Sequence, residues 1–182
     1  MAAAADDPEL SSIIQVSAAK DTTIIRSPLG CDECPDRDCS KCTLGRNDTL
    51  VVQSVGRLWH SHALVGFDMG INGSRVTKCV VRMPPFVERP KEKTVATVEE
   101  AVFYDWDEDS VTAVNAPPPK RPLAHYQLEP LADHLEPVDI TPACQDAIGG
   151  VFSIYFSSIA GGYTFPSREA GKPAILEILA HS

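Results

Sequence analysis

The stretch Leu64-Val-Gly-Phe-Asp-Met-Gly-Ile71, followed by Asn72-Gly73 and then Ser74-Arg-Val-Thr-Lys-Cys-Val-Val-Arg-Met83, carries the clearest structural signal in this chain. Val65, Phe67, Met69 and Ile71 alternate with Leu64, Gly66, Asp68 and Gly70. Side chains two apart on a strand share a face, so this pattern predicts a half-buried strand with Val65, Phe67, Met69 and Ile71 on the core side. Asn-Gly is the dipeptide preferred by tight two-residue turns, and it predicts a hairpin whose arms are residues 64–71 and 74–83. In that register Val65 faces Val80, Phe67 faces Lys78 and Met69 faces Val76.

Similar signals recur on both sides of this stretch. Ile13 to Val16, Thr22 to Ile25 and Thr49 to Val55 are short runs rich in β-branched residues. Downstream, Val102, Tyr104 and Trp106 line one face of a predicted second hairpin, with Asp107 to Ser110 as its solvated turn and Val111 to Val114 returning. Phe152, Ile154 and Phe156 alternate with Ser153, Tyr155 and Ser157, and two further runs, Tyr163 to Phe165 and Ala174 to Leu179, close the chain. Between them, residues 115–142 hold seven prolines, which block long helices and central strands and favour extended backbone over a surface. The most helix this segment allows is a short one around Leu128 to Leu135.

Together these signals predict a mainly β protein, an antiparallel barrel or sandwich. It carries an N-terminal cysteine-rich knuckle and a proline-rich connection. Residues 1–12 read as a flexible tail, with nothing to pack. Residues 13–182 read as one β-rich domain that includes the knuckle at 28–46 and the proline-rich segment at 115–142.

The knuckle is Cys31-Asp-Glu-Cys34 and Cys39-Ser-Lys-Cys42. Two C-x2-C pairs can turn four thiolates toward one point, the arrangement of a closed structural zinc site. Cys31, Cys34, Cys39 and Cys42 are therefore expected to hold zinc, ahead of an iron–sulfur cluster, disulfides or a redox dithiol. Cys79 and Cys144 read as small packed residues, and the sequence does not pair them.

Other features bear on function. The formal charge is −9 over 182 residues, which argues against general nucleic-acid binding. There is no apolar run of membrane-spanning length, and the start Met-Ala-Ala-Ala-Ala-Asp-Asp-Pro has no signal-peptide pattern. An intracellular protein of cytoplasm or nucleus is expected, a compartment in which the sequons Asn47-Asp-Thr49 and Asn72-Gly-Ser74 are silent. His60 and His62, two apart at a strand edge, project from one face as metal ligands do in some β-barrel oxygenases. A third ligand would come from His125, His134, Asp68 or His181. The leading functional expectation is a non-enzymatic interaction or structural subunit of a larger assembly, cellular or viral, that binds protein partners. A small metal-dependent β-barrel enzyme using His60 and His62 is the alternative.

Overall fold

The computed structural model describes residues 11–181; the expected tail therefore lies outside the described residues, except for Ser11 and Ser12, which open the first strand. Eleven strands follow in chain order: β1 (Ser11–Ser17), β2 (Lys20–Arg26), β3 (Thr49–Val55), β4 (Trp59–Asp68), β5 (Val76–Arg82), β6 (Thr94–Ala101), β7 (Pro119–Leu128), β8 (Val138–Asp139), β9 (Val151–Ser158), β10 (Gly161–Pro166) and β11 (Ile175–His181). One α-helix of five residues, α1 (Thr141–Gln145), stands among them.

The strands form two antiparallel sheets, so the mainly β expectation holds, and the architecture is sandwich-like with no closed barrel. The smaller sheet has the order β1-β11-β5-β8; the larger runs β10-β3-β4-β9-β6-β7, with β2 paired to β4. The core lies between them. Val65 and Phe67 of β4, Phe152, Ile154 and Phe156 of β9 and Phe165 of β10 meet Val81, Leu176 and Ile178 of the small sheet, all buried. Phe67 stacks on Phe152 with ring centroids 5.5 Å apart, and Phe156 meets Phe165 edge-on at 5.6 Å.

The predicted hairpin at 64–83 is corrected. Its first arm is a strand with Val65, Phe67 and Met69 buried and Ile71 half-buried, as expected. The second arm belongs to the other sheet: β4 pairs with β2, β3 and β9, whereas β5 pairs with β11 and β8. Asn72 has φ −71° and Gly73–Arg75 form a single 3-10 turn that carries the chain across the sandwich. Gly73 is required by close packing, since a Cβ there would lie 2.3 Å from the carbonyl oxygen of Cys144. Alternation sets which face is buried, but it does not name the partner strand.

The second predicted hairpin is also corrected. The strand is β6, which ends at Ala101, and residues 102–118 instead cross the outer face of the larger sheet. Trp106, Val111 and Ala116 from this segment pack on Ile24, Leu64 and Tyr155, forming a second, smaller core. The Trp106 indole donates to Ser153 Oγ at 2.9 Å, and the Tyr155 hydroxyl donates to the Pro117 carbonyl at 2.6 Å. Lys20 Nζ donates to the carbonyls of Tyr104 and Trp106 at 2.6 and 2.5 Å while facing both rings.

Part of the proline-rich segment is a strand after all. β7 carries Pro119 and Pro122, and it lies at the sheet edge, where a missing N–H breaks no ladder. Residues 128–135 contain no helix; the helix comes later, with Pro142 in its first turn.

The zinc expectation is overturned. Cys31 is bonded to Cys39, Cys34 to Cys42 and Cys79 to Cys144. Sulfurs joined in disulfides offer no thiolate to a metal, and no group of three or more metal-ligating side chains exists among the described residues. The first two bridges interleave and close a lobe between β2 and β3. The third ties α1 to β5, where the Cys79 N–H also donates to Thr141 Oγ1 at 2.9 Å.

Candidate functional site

The segment 102–118 covers only part of the outer face of the larger sheet. Beyond it the same strands present polar side chains. On β4 the outward residues are His60, His62, Leu64 and Gly66, and the register aligns Arg26 with His60, Ile24 with His62, Tyr155 with Leu64 and Glu99 with Tyr155. Period-two alternation therefore brings Arg26, His62, Ser157, Tyr155 and Glu99, from four strands, onto one surface. With Pro119 they line a pocket of about 240 Å³.

His62 is held in place. Its Nδ1 shares a 2.8 Å hydrogen bond with Ser157 Oγ, and its ring stacks near-parallel to His60 at 6.2 Å and 8°. Burial, then the nearby charges of Arg26 and His60, push its pKa down to about 4. The ring is therefore neutral at ordinary pH, able both to donate and to accept a hydrogen bond. His60 Nδ1 is 3.2 Å from Ser54 Oγ. Tyr155 has its hydroxyl committed to Pro117, and burial pushes its pKa up to about 12, so it serves as an uncharged wall. Arg26 is exposed and Glu99 half-buried, placing a fivefold donor and an acceptor on opposite sides of the imidazole.

Such a pocket suits a neutral, hydroxyl-rich ligand better than an ion. It offers donors, acceptors, an imidazole and a phenol ring within one small hollow. A larger groove of about 510 Å³ lies between β3, β10 and residues 88–92. Its charged groups, Glu88, Arg89, Lys91 and Glu92, are exposed side chains on its rim.

The expectation that His60 and His62 share a face is met, but the expected metal centre is not formed. His125 sits on edge strand β7 and Asp68 at the far end of β4. His134 is engaged by Asp133 and Glu136, and His181 by Thr77 on the small sheet. Arg26, Glu99, Tyr155 and Ser157 were missed as site residues. The outward parity of Tyr155 and Ser157 was visible in the alternation of β9, whereas nothing local marks Arg26 or Glu99.

Comparison with known proteins supplies a family. The profile of carbohydrate-binding module family 96 matches residues 37–180. A protein of Arthroderma benhamiae named "Uncharacterized secreted protein" is 39% identical over 175 residues, spanning 96% of this chain and 88% of the relative. These findings replace the expected structural or protein-binding subunit, and they displace the metal-dependent enzyme on His60 and His62. The intracellular expectation is also overturned: the relative is named a secreted protein, and three disulfides are the signature of an oxidising compartment. Among the described residues no helix is long and apolar enough to cross a membrane.

Proposed function

The chain belongs to carbohydrate-binding module family 96, and on that premise we propose that it is a secreted carbohydrate-binding protein whose sugar docks on the open part of the larger sheet's outer face. The observation that carries this reading is the convergence of Arg26, His62, Glu99, Tyr155 and Ser157 on one small pocket. A sugar ring presents hydroxyls that both donate and accept and a C–H face that is apolar. Arg26 donates to hydroxyl oxygens, Glu99 accepts from hydroxyls, His62 does either, and the Tyr155 ring gives the apolar side. Because Ser157 holds His62 and the Pro117 carbonyl holds the Tyr155 hydroxyl before any ligand arrives, those two side chains have little order left to lose on binding.

The same reading takes residues 13–182 as one β-rich domain. It gives the two interleaved disulfides of the N-terminal lobe the role that zinc was expected to fill there, while the third ties α1 to β5. The test is retention on a panel of insoluble polysaccharides, followed by titration calorimetry with oligosaccharides cut from any that retain the protein. Arg26→Ala and His62→Ala should each weaken binding at least tenfold, a loss of about 1.4 kcal/mol or more. Failure to bind any member of a broad panel, or binding untouched by both variants, defeats this placement of the site.

A further inference from the structure

We propose that Asn47 and Asn72 carry N-linked glycans, displayed toward the end of the sandwich away from the candidate pocket. The proposal rests on the secretion read above, because the sequons Asn47-Asp-Thr49 and Asn72-Gly-Ser74 meet the glycosylating machinery only in a secretory compartment. Neither middle residue is proline.

Both acceptors have the required exposure. Asn72 is exposed at the turn that leaves the larger sheet, and its Oδ1 accepts the Ser74 N–H at 3.0 Å. With the side-chain carbonyl so held, Nδ2 has no partner among the described residues. Asn47 is exposed in the turn before β3. Its backbone carbonyl accepts from Ser167 Oγ at 2.6 Å, and the N–H of Ser167 donates to the Asp48 carbonyl at 2.9 Å. The backbone of that sequon is anchored, while its side chain makes no hydrogen bond to the described residues.

Strand register sets the placement. β4 starts beside Arg26 at His60 and ends at Asp68, and six residues from His62 to Asp68 cover roughly 20 Å at about 3.3 Å each. Asn72 lies beyond that end. β3 pairs with β4 only near β4's start, through Gln53 and Ser61, and runs antiparallel to it, so residues before Thr49 also lie toward β4's finish.

In the transfer, Asn Nδ2 attacks the anomeric carbon of a polyisoprenyl-diphosphate oligosaccharide. The bond from that carbon to the diphosphate oxygen breaks, Nδ2 gives one proton to the transferase, and polyisoprenyl diphosphate leaves. Nothing is oxidised or reduced.

The test uses protein recovered from the culture medium of its own cells. Peptides are treated with peptide N-glycosidase in heavy-oxygen water and weighed. Conversion of both asparagines to heavy aspartate is expected. Asn47→Gln and Asn72→Gln should each remove one glycan from the intact mass, and enzymatic removal of both should leave polysaccharide retention unchanged. Secreted protein with both asparagines unmodified overturns the proposal and leaves secretion standing; conversion of one overturns it for the other. Absence of the protein from the medium overturns both readings.

Discussion

The outer face of the larger sheet is used in two ways by the same strands. Under residues 102–118 it is apolar: Ile24, Leu64 and Tyr155 meet Trp106, Val111 and Ala116, and Tyr104 lies so close to Gly66 that a Cβ there would sit 3.1 Å from its ring. Two to four residues away along β2, β4 and β9 the outward positions become Arg26, His62, His60 and Ser157. A strand face turns apolar where the chain comes back over it and stays polar where it does not. The polar half is therefore a surface left uncovered, with His60 and His62 already fixed by Ser54 and Ser157.

The comparison breaks most visibly at Trp106. Trp106→Ala should cost about 3–5 kcal/mol, as for other large buried aromatics, and should lose the bond to Ser153. A loss below about 1 kcal/mol in urea unfolding would mean that the crossing segment is only a loop resting on the sheet.

The disulfides test whether stability resides between the sheets or around the open half. Cys79–Cys144 closes a separation of 65 residues and each bridge of the N-terminal lobe one of 8. The chain-entropy account gives about 4 kcal/mol for the long loop and about 2.5 for a short one. Cys79→Ala with Cys144→Ala should therefore lower the unfolding midpoint more than Cys31→Ser with Cys39→Ser. The second pair should instead weaken polysaccharide retention by loosening the lobe that follows Arg26.

Lys20 sits at the covered half's edge, between two backbone carbonyls and two rings. Lys20→Met should cost about 2 kcal/mol through the lost charge-assisted hydrogen bonds. The complementary change in the open half, Arg26→Ala, should move stability by less than about 0.5 kcal/mol while it removes binding. Equal effects of the two on stability would erase the distinction between the halves.

The smallest signal expected is a slope of stability against pH, because two groups oppose each other. Burial, with Glu108 and Glu169 nearby, raises Asp21 from 3.8 to about 6 against the N–H of Arg168. The folded chain holds that proton more tightly than the unfolded chain. Its contribution is full below about 3.8 and is lost as the pH rises through 6. His62 falls from 6.5 to about 4, so its contribution is present above 6.5 and is lost as the pH falls through 4. Between pH 4 and 6 these slopes offset. Asp21→Asn should leave stability rising with pH across that window, and His62→Ala should leave it falling. Urea midpoints at pH 4, 5, 6 and 7 measure this; two variants with the wild-type slope would refute both assignments.

Much of the fold was legible. The strands at 13–16, 22–25, 49–55, 64–71, 152–157, 163–165 and 174–179 were all visible as alternation or as β-branched runs, and each lies in or overlaps a strand of the structure. The errors share one cause. Asn72-Gly73 has the chemistry of a hairpin turn, yet Gly73 is there because the backbone of Cys144 and Gln145 packs against it. Val102, Tyr104 and Trp106 alternate like a strand, yet their backbone crosses a sheet instead of joining one. Four cysteines spaced for a metal have the same spacing when paired as two bridges, and the choice depends on compartment, which local spacing does not encode.

By itself the sequence determined that this chain is built from strands, which side chains on most of them turn inward, and that His60 and His62 share a face. Those are properties of period two, written within a few residues of one another. Only the tertiary structure decided that β4 and β5 lie in different sheets, that residues 102–118 cover half of one face, and that Arg26, Glu99 and Ser157 join His62 at the uncovered half, with Tyr155 at the boundary between the two. These residues come from strands as far apart as β2 and β9, and their meeting is set by strand register and by burial between the sheets, which no local pattern specifies.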